Sequence, residues 1–396
     1  MAFASAAVVS RSDASAARRA LAGFALSGFL AALLGAILPA WGYHLKSDFA
    51  TVAHYFLSLT AGVLLSTVLT RRLLPRRGVS HLLVAACALS CAALVVLALA
   101  SPPTLAIWRM GGLVYLGIAT GLLNSAIFHA ISDPYHQNPA ATISLGGVFF
   151  GLGCLAAALV VASAFYAWSV GAILGLAALI PGLFGVLYAR TPFHPEPVPR
   201  QPNLRQALRD LRSPAAVLLA LLLFFQFGNE WTVAGWLTLF LIQRLGISPE
   251  SALLFLGFYW TALLLGRVAA LAVLPRLAHG RLLLGAAAAA LFGCVVLLST
   301  DNRFGAAVAI ALIGAGFAPI YPLVAEKIGH RFAYYHPGLF NGVFSLAMVG
   351  AMLAPATAGY MAHAWGVGSV MFLPLAGTLM VFVLTLLIWL ESKIGG

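Results

Sequence analysis

Twelve stretches of this chain stay apolar for about 20 residues at a time, the length a helix needs to cross a bilayer (range about 17–25). They run over 20–43, 49–70, 79–100, 105–131, 142–165, 167–189, 214–242, 250–274, 281–299, 304–327, 338–362 and 367–390. No apolar run is left over, and the one connection longer than a dozen residues is 190–213. Charged residues make up 8% of the chain; aliphatic, aromatic and cysteine residues make up 62%. A soluble domain carries about 25% charged residues. Spacing and composition therefore agree on an all-α membrane protein with twelve transmembrane helices, not a large soluble core.

The net charge of +12 would suit a nucleic-acid partner, but its placement speaks for topology instead. With the N-terminus inside, seventeen of the 22 Lys and Arg residues fall in inside segments; Lys46, Arg109, Arg244 and Arg303 fall outside, and Arg267 within a span. Basic residues accumulate in cytoplasmic loops, which predicts cytoplasmic termini, the lipid bilayer as partner and no nucleic acid. Residues 1–19 are expected as a cytoplasmic tail, since 1–17 lacks the basic start and long apolar core of a cleaved signal. A bacterial inner (plasma) membrane fits this pattern. Cys87, Cys91, Cys154 and Cys294 lie inside apolar runs with no CxxC pair, as small packing residues do. No nucleophile–base set, metal-spaced cluster or nucleotide loop is found, so no enzyme, metal or cofactor is expected.

The chain divides six plus six about 190–213. That connection opens Pro-rich and continues from Asn203, which can cap a short helix, with Leu204, Leu208 and Leu211 on one face and Arg205, Arg209 and Arg212 on the other. An amphipathic helix at the membrane surface is expected there. The expected units are a bundle at 20–189, a linker at 190–213 and a second bundle at 214–396. The halves also repeat. At an offset of 195, Gly121-Leu-Leu-Asn-Ser-Ala-Ile-Phe-His-Ala lies over Gly316-Phe-Ala-Pro-Ile-Tyr-Pro-Leu-Val-Ala, and Gly147-Val-Phe over Gly342-Val-Phe. Near 200, Leu74-Pro75-Arg76 lies over Leu274-Pro275-Arg276.

A parallel six-helix repeat of this kind resembles the major facilitator superfamily, which holds substrate near the midplane between halves. Gly62-Val-Leu-Leu-Ser-Thr-Val-Leu-Thr-Arg71-Arg72-Leu-Leu-Pro-Arg76-Arg77-Gly78 looks like a degenerate copy of that superfamily's basic signature after the second helix, without its usual Asp. Gly266-Arg267 with Pro275-Arg276 looks like the second copy. The resemblance implies gating roles for Arg71, Arg72, Arg267 and Arg276, and a monomer. Gly228-Asn-Glu-Trp-Thr-Val-Ala-Gly-Trp236, followed by Leu264-Leu-Gly-Arg267, is similar to the fucose–galactose–proton symporters and their glucose-transporter relatives. That similarity implies a sugar-like substrate and a proton as coupling ion. The carboxylates expected of bacterial symporters in the first and fourth helices are absent: the first span reads Gly35-Ala-Ile-Leu-Pro39-Ala-Trp41, and the fourth offers Asn124 and His129.

One residue stands out within the spans. Glu230 is the only carboxylate well inside an apolar run, a position that costs at least ~2.5–3.5 kcal/mol and usually faces a bundle interior or a water-filled path. Gln226, Asn229, Glu230 and Val233 share a helix face, with Trp231 about 100° away. Amides and aromatic faces in one pocket suit a sugar, and Glu230 is the natural proton carrier. The bland reading is a buried acid held neutral by a neighbour. Trp236, Trp260 and Tyr259 are candidates to complete the site, with Trp236 equally an interfacial anchor. Asn124 and Asn341 read as ligand groups or as helix–helix glue. Tyr321, between Pro319 and Pro322, marks a bend, and its phenol is a further candidate to line the cavity. His54 is a pH-sensing candidate or an interface histidine. Arg109 either snorkels or pairs with an acid or anionic substrate. The expected function is alternating-access, proton-coupled transport of a small polar solute, most simply a monosaccharide. Its rivals are a facilitative sugar uniporter, a proton-antiport exporter of amphiphilic drugs or lipids, and a transport-dead sensor on the same fold.

Overall fold

The computed structural model describes residues 11–46, 48–132, 139–193, 214–273, 277–331 and 342–394. Its helices are α1 (Arg11–Ile37), α2 (Phe49–Leu99), α3 (Ala106–Ala130), α4 (Pro139–Ala164), α5 (Val170–Ala177), α6 (Leu179–Ala189), α7 (Pro214–Leu245), α8 (Pro249–Val273), α9 (His279–Ser299), α10 (Arg303–Phe317), α11 (Ile320–Arg331), α12 (Gly342–Trp365) and α13 (Phe372–Ile394), with a 3₁₀ turn at Val367–Ser369. Ten helical stretches among these residues are long and apolar enough to span. The 51-residue α2 holds two spans, and the 24-residue α12 completes twelve.

Backbone chemistry explains where the helices break. In α2 the second span continues through Arg71, Arg72, Arg76 and Arg77, past the expected end at 70. It turns at Gly78, whose φ of 77° and ψ of 171° suit a residue without a Cβ. Proline divides two other spans, because it lacks an N–H and its ring crowds the carbonyl four residues back. Pro181 sits just after the α5–α6 junction, and Pro319 and Pro322 straddle the start of α11. The expected bend beside Tyr321 is thus a true interruption, at Ala318–Pro319. The amphipathic segment expected at 203–212 lies outside the described residues.

The helices form two six-span bundles. In the first, α1 packs on α3 and α4, and α2 packs on α3, α5 and α6. In the second, α7 packs on α12 and α13, α8 on α10, and α9 on α10 and α13. Four pairs make most of the seam between bundles: α1 with α7, α2 with α12, α4 with α8 and, more lightly, α4 with α11. With an even number of spans, the start of α1 and the end of α13 lie at one end, here called the terminal end.

At the opposite end the seam is tightly shut. Trp236 is fully buried and donates its indole N–H to the Pro355 carbonyl at 2.8 Å, while Phe49 and Phe56 of α2 lie 6.2 and 6.0 Å from its ring. Thr238 Oγ1 donates to the Gly35 carbonyl of α1 at 3.4 Å. A Cβ on Gly359 would come 2.7 Å from the Ala53 Cβ. Trp108, Tyr166, Trp168, Trp365 and Phe372 are exposed around this end, where aromatic side chains anchor a bundle at the membrane surface.

Arg109 neither snorkels nor meets an acid. It is buried in the first bundle, where Nε donates to the Tyr55 hydroxyl at 2.6 Å and Nη1 donates to the Ala100 and Thr104 carbonyls at 3.0 Å each. Its guanidinium lies 5.8 Å from the Trp41 ring and 5.7 Å from the Tyr55 ring. The fork therefore ties the end of the third span to the start of the second and fourth. Hydrogen bonds to a charged group contribute about 1.5–3 kcal/mol each, and losing one partner strands the other. Arg109→Ala is expected to lose about 2–4 kcal/mol of stability, and Arg109→Lys to recover little of it, since an ammonium cannot match the planar fork. Thermal unfolding in detergent checks this; unchanged midpoints would remove the structural role.

Candidate functional site

The polar face of α7 divides into two jobs. Asn229 is turned into the second bundle, where its Nδ2 donates to Thr378 Oγ1 at 3.2 Å. Thr378 in turn donates to the Pro374 carbonyl at 2.6 Å and lies 3.8 Å from Cys294 Sγ. That amide is committed to joining α7 and α13. Gln226, one turn earlier, is fully buried and reaches along its own helix, donating Nε2 to Glu230 Oε1 at 2.7 Å. A longer contact, 3.5 Å, runs from the same nitrogen to the Phe317 carbonyl at the α10–α11 break.

Glu230 is partly buried, and Arg267 of α8 is the cation close enough to act on it. Tyr259 of α8 and Cys154 of α4 lie within the field of the same two charges. Arg267 also crosses the seam, donating Nη1 to the Gly147 carbonyl of α4 at 2.5 Å. A Cβ at position 147 would come 3.0 Å from that nitrogen, so a glycine leaves the carbonyl open to the guanidinium.

Aromatic rings wall this polar pair. Phe150 of α4 meets Trp231 of α7 edge-on at 6.2 Å and 87°, Trp231 meets Trp260 of α8 at 6.3 Å and 63°, and Trp260 meets Tyr259 at 5.1 Å and 58°. The array runs from the first bundle into the second across the seam. Within it, the Gln226 Oε1, Tyr259 hydroxyl, Trp260 Nε1 and Arg267 Nε atoms are buried and bond to no protein atom. Native proteins leave few such groups, because each costs about 1–3 kcal/mol of desolvation. Four such atoms on α7 and α8 leave hydrogen-bonding capacity here that no protein group uses.

The structure thus brings Gln226, Glu230, Trp231, Tyr259, Trp260 and Arg267 together. Tyr321 stands nearby, its ring 5.0 Å from Phe227. Asn124 joins two helices of the first bundle, accepting at 2.7 Å from Ser27 of α1. Trp236 belongs to the shut seam. His54 is exposed at the opposite end, 5.9 Å from the Tyr360 ring in an outer groove lined by Leu57, Ser58 and Met110. Arg71 and Arg72 are exposed on the last turns of the second span. Asn341 and Arg276 lie outside the described residues. Sequence reasoning missed Phe150, Gly147 and Cys154 from α4, and it placed Arg267 at a gate without its link to Glu230. One signal was available: Trp260 and Arg267 are seven residues apart, on one helix face.

The sequence profile of the Major Facilitator Superfamily matches residues 20–348. Among solved structures, the fucose:proton symporter of E. coli is 16% identical, with 95% of this chain and 98% of that one aligned at a TM-score of 0.60. A D-xylose–proton symporter is 16% identical over 94% and 96% of the two chains, at 0.73. The nucleoside transporter NupG is 12% identical over 94% and 98%, at 0.70. At such identities these structures share the fold. Comparison with curated protein sequences returns no match.

Proposed function

The chain belongs to the major facilitator superfamily, and from that premise we propose that it is a proton-coupled transporter of a small polar solute of monosaccharide size. The observation that carries this reading is the set of orphaned hydrogen-bonding atoms around Glu230, walled by aromatic rings that can lie against the C–H face of a sugar. Glu230 is the proton carrier, protonated on the outer side and released inside. Gln226, Trp231, Tyr259 and Trp260 receive the solute, and Tyr321 borders them. Residues 20–189 and 214–396 rock against each other about this site, with the termini and the 190–213 linker in the cytoplasm of a bacterial inner membrane. The solved relatives that bear the names of fucose, xylose and nucleoside transporters support a small polar substrate of this kind.

A facilitative uniporter is the second reading, favoured by the absence of carboxylates from the first and fourth spans. An exporter of amphiphiles is the third. It is favoured by a groove of about 420 Å³ between α4 and α8, lined by Leu159, Val160 and Leu254 beside Glu250.

Thermal stabilisation of the purified protein by a panel of monosaccharides, at mildly acidic and mildly alkaline pH, separates these readings. A hit whose strength depends on pH is expected. A pH-independent sugar hit selects the uniporter. Stabilisation by lipophilic cations or lysolipids alone selects the exporter and overturns the sugar reading.

A further inference from the structure

The orphaned groups are unequal in kind. Trp260 Nε1 and Arg267 Nε can only donate, the Tyr259 hydroxyl can donate or accept, and Gln226 Oε1 can only accept. Donors predominate, and they lie beside a guanidinium. A carboxylate accepts up to about four hydrogen bonds through its two oxygens, and charge-assisted bonds of this type are roughly twice as strong as neutral ones.

The charge balance leads the same way. Facing Glu230 are Gln226 on its own helix, Arg267 and Tyr259 from α8, and Cys154 from α4. Arg267 is the cation among them, and it sits in a span. With Glu230 ionised the pair is neutral. With Glu230 protonated the guanidinium stands alone, and an uncompensated charge in such a place is costly.

We propose that the solute is an organic anion of monosaccharide size, such as a sugar acid, whose carboxylate replaces that of Glu230 as the counter-charge of Arg267 and accepts the N–H groups of Arg267 and Trp260. The inference rests on the transporter reading, with Glu230 as the proton site. It also supplies the coupling. A proton alone leaves Arg267 unbalanced, and the anion alone meets an ionised Glu230. Together they restore neutrality, so proton and anion load as a pair and cross without net charge. No carboxylate in the first or fourth span is needed.

Calorimetric titration of the full-length protein with D-gluconate and D-glucuronate, against D-glucose and D-xylose, tests this at mildly acidic and mildly alkaline pH. The acids are expected to bind at least ~10-fold more tightly than the neutral sugars, a difference of about 1.4 kcal/mol, and only at the lower pH. Trp260→Phe keeps the ring and loses the N–H, and is expected to weaken the acids by about 10-fold, a step of about 1.4 kcal/mol. Glu230→Gln is expected to bind the acids equally at both pH values. Neutral sugars binding as tightly as their acids would overturn the charge assignment and leave the transporter reading standing. Binding of neither class, with lipophilic cations binding instead, would overturn both.

Discussion

Glu230→Gln is expected to abolish uphill accumulation in proteoliposomes while counterflow exchange remains measurable. Glutamine keeps the length of the side chain and an oxygen for the Gln226 Nε2 donor, now 2.7 Å from Glu230 Oε1. It cannot carry a proton. One proton moving down a gradient of two pH units is worth about 2.7 kcal/mol, enough for roughly 100-fold accumulation of a co-transported solute. The wild-type protein should approach that ratio, and the variant should settle near equal concentrations on the two sides. Exchange of labelled for unlabelled solute needs only reorientation of the loaded carrier, so it persists. The variant still has Arg267 bound across the seam to the Gly147 carbonyl, which keeps the α4–α8 contact in place. Accumulation that survives in the variant would remove Glu230 from the coupling role. Loss of exchange together with accumulation would make it a packing residue instead.

The architecture was largely legible, because span length, apolar runs and charge bias are local properties. The breaks were legible where proline causes them, as at Pro319 and Pro322. Arginine stems carried the second span further than its apolar run did, since α2 continues through Arg77 to Gly78. The site was half legible. Periodicity put Gln226, Asn229 and Glu230 on one face, but that face is wide enough for two neighbours. Which residue meets α13 and which meets α8 depends on the packing of helices far apart in sequence. Asn229 was thereby spent on Thr378, and Gln226 was left for Glu230. Trp236 illustrates the same limit. Its position near a span end allowed an anchor or a site residue, whereas packing against Phe49 and Phe56 of the other bundle made it a plug in the seam. Arg109 found its partners in Tyr55 and two carbonyls, none of which an acid-seeking reading of a membrane arginine would single out.

That plug would be the physical stop of the proposed alternating access, and the second large effect is expected there. At the end opposite the termini, a Cβ on Gly35 would overlap the Ala234 carbonyl oxygen and come 3.0 Å from the Gly235 Cα. Both obstacles are backbone, so no rotamer change relieves them. The glycine lets α1 and α7 approach closely enough for Thr238 to reach the Gly35 carbonyl. Gly35→Leu therefore penalises the state closed at this end and leaves the state open there untouched. Overpacking a well-filled contact costs about 1–3 kcal/mol. A shift of 3 kcal/mol changes a two-state ratio by roughly 150-fold, so the variant should rest open at this end and transport at least ~10-fold more slowly. Leu45 and Trp365, 81% and 74% exposed on the two bundles at this end, can carry nitroxide labels in a background with the four cysteines replaced. Pulsed electron resonance should show the longer-distance population growing at the expense of the shorter one. An unchanged distribution with normal transport would mean that the α1–α7 contact does not move during the cycle, and the rocking axis would have to lie elsewhere.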